Sequence, residues 1–286
     1  MLLKKLQMRL STGTSIALLA VTLTLGLAGW VWAATTPDLG EAASFAILSG
    51  TYTNTVAGTT INGDLGYTTG PAVAPTVNGT VYSPPSTKYS QAGLDQASAL
   101  AALNAQACTH TFPDGAVDLA TDTSHGPIGV YEPGVYCTTA TSAAEVGTAG
   151  ITLSGSGTYI FRIDGALTTV ADSSVTLTGG ASYCDVFWTP TAATTLGANS
   201  TFAGIDIDAS GITIGSTVTW TGSALAFGGT VSTDTDTISV PACATDLANG
   251  GVGPSGKSNS WNTSMLAGIF GLALLSLGVV LRKRTS

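Results

Sequence analysis

Four stacked lines of sequence from residues 159–241 decide the fold. They are Leu167-Thr168-Thr169-Val170-Ala171-Asp172-Ser173-Ser174-Val175, Thr194-Thr195-Leu196-Gly197-Ala198-Asn199-Ser200-Thr201-Phe202, Ile212-Thr213-Ile214-Gly215-Ser216-Thr217-Val218 and Val231-Ser232-Thr233-Asp234-Thr235-Asp236-Thr237-Ile238. Each reads as the end of one strand, a turn of small residues and the start of the next strand. The hydroxyls Thr168, Thr195, Thr213 and Ser232 follow one another at 27, 18 and 19 residues. That is the repeat length of a stacked coil, whose apolar side is buried only against its neighbours. The expected fold is therefore all-β, a β-solenoid whose outer surface carries columns of Thr and Ser.

The remaining strands of each coil fall into place around these lines. One wall collects Tyr159-Ile160-Phe161-Arg162-Ile163, Asp185-Val186-Phe187-Trp188, Gly204-Ile205-Asp206-Ile207 and Leu225-Ala226-Phe227. The second holds Thr168, Thr195, Thr213 and Ser232. The third holds Val175-Thr176-Leu177, Phe202-Ala203, Val218-Thr219-Trp220 and Ile238-Ser239-Val240. Three walls per coil imply a triangular cross-section. The stretch from Phe45 to Leu65 alternates in the same manner and is expected to add a coil. Between Pro84 and Phe112 the period changes: Ala97, Leu100, Ala101, Leu103, Ala107 and Cys108 form an apolar stripe at helical spacing. This predicts a helix over about 90–107, poor in charge because one side lies along the coils.

Composition agrees. The 286 residues carry a net charge of −8 with only 9% charged residues and 36 glycines, a profile of an exported β protein rather than a helical enzyme. Acidity without a basic patch excludes nucleic acid as a partner. Residues 1–34 read as a signal peptide, with Lys4, Lys5 and Arg9 before an apolar run and Ala33-Ala34 at its end. Residues 264–281 form an uncharged apolar run followed by the basic tail 282–286, the pattern of a transmembrane helix with its cationic end in the cytoplasm. A Gly-, Ser- and Asn-rich linker, 249–263, would tether the folded domain 35–248 outside the cytoplasm. Four cysteines in the exported part permit three pairings. Cys108 with Cys137, pinning the helix, and Cys184 with Cys243, pinning the last coil, is the preferred one; four buried free thiols are the alternative.

Several ordered segments together resemble one family. Phe45-Ala46-Ile47-Leu48, Thr60-Ile61-Asn62-Gly63-Asp64-Leu65-Gly66, Pro133-Gly134-Val135-Tyr136, Tyr159-Ile160-Phe161-Arg162-Ile163, Cys184-Asp185-Val186-Phe187-Trp188 and Asp236-Thr237-Ile238-Ser239-Val240-Pro241 are similar to the microbial β-solenoid ice-binding (antifreeze) proteins. The resemblance implies a right-handed, discontinuous β-solenoid of triangular cross-section with one long α-helix alongside. It also implies a flat ice-binding wall with Thr-Gly-x-Thr-like turns. Positions matching such turns are Ala57-Gly58-Thr59-Thr60, Ala171-Asp172-Ser173-Ser174, Ala198-Asn199-Ser200-Thr201, Ser216-Thr217 and Thr235-Asp236-Thr237.

Ice recognition calls for a rigid, weakly hydrated array of methyls and hydroxyls, and Thr supplies both on a stiff χ1. Charges order water differently, so Arg162, Asp206 and Asp208 count against the first wall. The expected ice-binding residues are Thr168, Thr195, Thr213 and Ser232 in one column, and Ser174, Asn199, Thr201, Ser216, Thr217 and Thr235 in the next, with the third wall as the rival surface. The expected partners are an ice crystal surface and, through the C-terminal helix, a membrane; the chain is expected to be a monomer. Catalysis has little support. His110 and His125 are the only histidines, both in a turn-rich loop, and no cofactor or metal is expected, since Asp206, Asp208, Asp234 and Asp236 lack a metal-loop pattern. The alternative function is a surface adhesin or glycan binder stacking sugars on Trp188 or Trp220. A polysaccharide-degrading enzyme acting through Asp206 is the third option.

Overall fold

The computed structural model describes residues 33–243. The expected leader (all but its last two residues), linker, membrane-spanning run and basic tail lie outside these residues. Among the described residues, no helix is long and apolar enough to cross a membrane.

Among the described residues the fold is mostly β with a single α-helix, and every strand pairing is parallel. Three ladders account for the strands. Down the first runs the continuous register His110, Tyr136, Phe161, Trp188, Asp206, Ala224, Ile47, Leu65, Val81. Down the second runs Asp118, Glu145, Thr168, Thr195, Thr213, Ser232, Thr53. The third joins Thr76, Thr60, Thr237, Thr219 and Thr201. A single bridge from Thr201 to Ser174 links it to the block formed by Val175–Thr178, Ile151–Ser154 and Val130–Tyr131. All three ladders contain the strands that the sequence assigned to them.

The order along the stack departs from the order along the chain. Phe45–Asn54, the first strand, pairs with Thr219–Thr233, so the N-terminal rungs continue the stack beyond the C-terminal ones. Val81–Tyr82 then ends the first ladder at one extremity while His110–Thr111 begins it at the other. Eight rung steps of about 4.8 Å separate them, roughly 38 Å. The helix α1, Thr87–Asn104, carries the chain back across about 27 Å of that distance.

Helix α1 starts and stops three residues earlier than its periodicity suggests. Ser86 caps it, its hydroxyl accepting the Tyr89 N–H (3.3 Å). Beyond Asn104 the chain turns away to place Cys108 against Cys137. The buried face is Tyr89, Ala92, Gly93, Gln96, Ala99 and Leu103, whereas Ala97 and Ala101 of the expected stripe face outward. An alanine-rich helix is apolar nearly all round, so periodicity could not fix its rotation. Gly93 permits the closest approach: a Cβ there would lie 2.5 Å from the Phe227 ring.

Side chains pointing to opposite sides of the first ladder build two apolar layers. Outward-facing Val135, Ile160, Phe187, Ile205, Ile207 and Leu225 pack beneath α1. Inward-facing Tyr136, Phe161 and Trp188 join Phe202 and Trp220 of the third ladder. Their rings form a continuous interior stack, with centroids 5.3, 4.2, 5.2 and 5.1 Å apart. Each Trp or Phe buried here contributes on the order of 4 kcal/mol. Both preferred disulfides are present, Cys108–Cys137 and Cys184–Cys243, and no cysteine among the described residues is free.

Candidate functional site

On the second ladder the expected column is a single in-register row. Thr168, Thr195, Thr213 and Ser232 occupy consecutive rungs, and Thr53 extends the row, its hydroxyl donating to Ser232 Oγ (2.7 Å). Each rung presents one outward residue between two buried ones, as in Ala144–Val146 and Ile212–Ile214. At the far end the row becomes acidic, with Glu145 accepting from Thr168 Oγ1 (3.4 Å) and Asp118 beyond it.

The other expected residues do not form one column. Asn199, Thr217 and Thr235 stack with Asp172 along the corner between the second and third ladders, and all four have φ near +60° (61° at Asp172, 58° at Asn199, 60° at Thr217, 61° at Thr235). Backbone N–H groups bind carbonyls of the next turn: Asp172 to Ala198, Asn199 to Ser216, Thr217 to Asp234. Ser216 occupies the position before the left-handed residue. Thr217 Oγ1 donates to Asn199 Oδ1, and Thr217 N–H to Thr235 Oγ1 (3.3 Å). Beneath this corner the Asp236 carboxylate, fully buried, accepts from the N–H groups of Val218 (2.9 Å) and Asp234 (2.7 Å). Burial pushes its pKa up to about 6 in spite of those donors.

Ser174 and Thr201 belong to the third ladder, where they pair with each other. The reason is the turn itself: the left-handed residue and the buried one after it (Ser173, Ser200, Val218, Asp236, Thr59) rotate the next side chain onto a new surface. Besides Thr201, that surface holds residues that sequence reasoning did not list. Thr76, Thr60, Thr237, Thr219 and Thr201 form one column. Two residues further along each strand a second column holds Asn62, Ser239 and Thr221. Asn78 Nδ2 donates to Asn62 Oδ1 (2.8 Å), and Asn62 Nδ2 to Ser239 Oγ (2.9 Å). The strand residues that form the third ladder, 60–62, 76–77, 201–203, 219–221 and 237–239, include no charged side chain. The signal lay in the turns: whatever stands two places after the left-handed residue becomes the outward Thr.

Three expectations are corrected. Asp206 and Asp208 are fully buried and are not surface charges; the first ladder is withheld from solvent because α1 covers it. Trp188 and Trp220 are also fully buried, their indole N–H groups donating to Ala203 O (2.9 Å) and Gly204 O (2.8 Å), so neither is available to stack on a sugar. His125, placed by the sequence in a turn-rich loop where a side chain is ordinarily exposed, instead has its side chain buried, stacking on Tyr131 (4.0 Å, 9°) with Nδ1 2.7 Å from Asp122 Oδ2. Among the described residues no group of three or more His, Cys, Asp or Glu side chains is placed to hold a metal ion.

The ice-binding-like family model matches residues 47–239. An ice-binding protein of Flavobacterium frigoris (strain PS1) is 31% identical over 61% of this chain and 66% of its own length. An ice-binding protein of Nostoc sp. (strain HG1) is 30% identical over 88% of this chain and 89% of its own. A crystal structure of an ice-binding protein from an Antarctic biological consortium superposes with a TM-score of 0.65 at 27% identity, over 74% of this chain and 94% of that one. With the family model spanning all three ladders, the chain belongs to the ice-binding-like family.

Proposed function

We propose that this protein adsorbs to ice through the uncharged hydroxyl grid of the third ladder, with the left-handed corner Asn199, Thr217 and Thr235 as its border. The observation that carries the reading is the pairing of two parallel columns. A grid with rungs about 4.8 Å apart and alternate residues about 6.7 Å apart has repeats in two directions, and a lattice plane can be matched only by such an array. Thr methyls keep the surface weakly hydrated while the hydroxyls hold water in fixed positions. The β-branched Thr217 and Thr235 in the left-handed region carry a backbone cost of about 1–2 kcal/mol each. Strain retained at an exposed corner is a mark of function.

A second reading assigns the contact to the second ladder. The unbroken row Thr168, Thr195, Thr213, Ser232 and Thr53 favours it. One residue per rung and the acidic end weigh against it. Thermal hysteresis separates the two: Thr219→Tyr or Thr237→Tyr should abolish most of the activity and Thr195→Tyr or Thr213→Tyr should spare it, the reverse pattern favouring the second ladder.

The ladders are read as a right-handed, discontinuous solenoid of triangular section, forming one domain over 35–248. Two disulfides and the family support export, and the apolar run 264–281 supports a membrane tether that holds the monomeric domain at the cell surface. We assign no catalytic role. Ice adsorption needs no turnover, and the Asp206 that an enzyme reading would use is sealed in the core.

A further inference from the structure

Only two basic residues fall within the described residues, Lys88 and Arg162. Lys88 is paired with Asp64 (3.0 Å) and Glu41 (3.9 Å), but Arg162 has no carboxylate partner among the described residues. It projects outward from the first ladder between Cys137 and Thr189, beyond the end of α1, where the helix ceases to cover the sheet. One edge of its guanidinium is used internally, Nη1 donating to Gln106 O (2.8 Å). The half-buried group borders an open groove of about 420 Å³ whose rim carries Asn104, Thr138, Asp164, Thr189 and Thr191.

That rim is held in place by its own bonds. Asp164 N–H donates to Thr138 Oγ1 (2.8 Å), Thr191 Oγ1 donates to Asp164 Oδ1 (3.2 Å), and Thr189 Oγ1 lies 3.5 Å from Asn104 Oδ1. A planar guanidinium with free N–H groups is shaped for a carboxylate. Beside it stand one carboxylate, one amide and several hydroxyls, the groups that pair with vicinal ring hydroxyls. A phosphate would bring close to two negative charges to the groove where a uronate unit brings one. The groove lies within the size range of small-ligand sites, and no aromatic ring lines it.

We propose that the groove binds a uronate unit of an acidic polysaccharide, its carboxylate on the free edge of Arg162 and its hydroxyls on Asp164 and Asn104. The site is separate from the third ladder, so a chain attached to ice would still hold an acidic glycan.

Titration calorimetry of the full chain with galacturonate trimer, its methyl ester and the uncharged galactose trimer tests this. The expected result is a dissociation constant on the order of 1 mM for the acid, at least about tenfold weaker binding of the ester and the neutral trimer, and weakening of the acid at high salt. Arg162→Gln should remove the preference for the acid. Because that change also releases Gln106, Asp164→Asn serves as the second variant, predicted to weaken acid and ester alike. Thermal hysteresis should be unchanged in both. Equal binding of acid and ester, or no saturation by the acid at 20-fold the expected constant, would overturn the proposal whether or not the chain binds ice.

Discussion

Asp206 offers a test of the packed interior that is independent of ice. Its side chain is fully buried and neither carboxyl oxygen has a hydrogen-bond partner. The Thr194 hydroxyl beside it donates instead to Asp208 Oδ2 (3.1 Å), which also accepts the Thr194 N–H (2.8 Å). Burial first, and the Asp208 charge second, hold the Asp206 pKa well above its ordinary value of 3.8. The folded chain therefore keeps a proton that the unfolded chain releases above that value. Stability from this group is fully present below pH 3.8 and is lost as pH rises, at about 1.4 kcal/mol per unit. Asp206→Asn removes the titration while keeping the shape. Urea unfolding with disulfides intact, measured from pH 4 upward, should show the variant gaining on the wild type as pH rises, at up to about 1.4 kcal/mol per unit for as long as the folded wild type keeps the proton. Parallel stability profiles for the two proteins would refute the assignment of a neutral buried acid.

Two further substitutions probe the turns and the rungs. Gly222→Ala would set a Cβ 1.7 Å from Gly204 O, the acceptor of the Trp220 indole N–H; it should cost about 3 kcal/mol or more in urea unfolding and quench the buried-Trp fluorescence signature. Thr217→Asn keeps a side chain suited to φ near +60° without the β-branch. It should raise stability by about 1 kcal/mol while lowering thermal hysteresis, and a gain in both would remove the corner from the ice-contact surface.

Much of the architecture was legible because hydroxyls at a coil's spacing leave one main solution. The second-ladder column and the three strand groups could be read directly, and the disulfides are the preferred one of the three possible pairings. The discontinuity was implied by the family resemblance alone: nothing local in Phe45-Ala46-Ile47-Leu48 says that this strand stacks on the last coil rather than the next, since parallel rungs of similar apolar residues are interchangeable to a local reading. The buried carboxyls were misread because an Asp in an alternating strand has no sequence mark of the side it faces. Thr219, Thr237 and Thr60 were overlooked for a related reason. A left-handed residue such as Thr217 turns the chain through a corner, and a β-branched residue is not what sequence reasoning expects to find at φ near +60°.

The account stands or falls on contact between the third ladder and ice. Fluorescently labelled protein should be taken up into a slowly grown single ice crystal and enriched over the surrounding liquid, and Thr219→Tyr with Thr237→Tyr should leave the label in the liquid with the fold intact by circular dichroism. Exclusion of the wild-type chain from the crystal, or uptake of the double variant at the wild-type level, would contradict it.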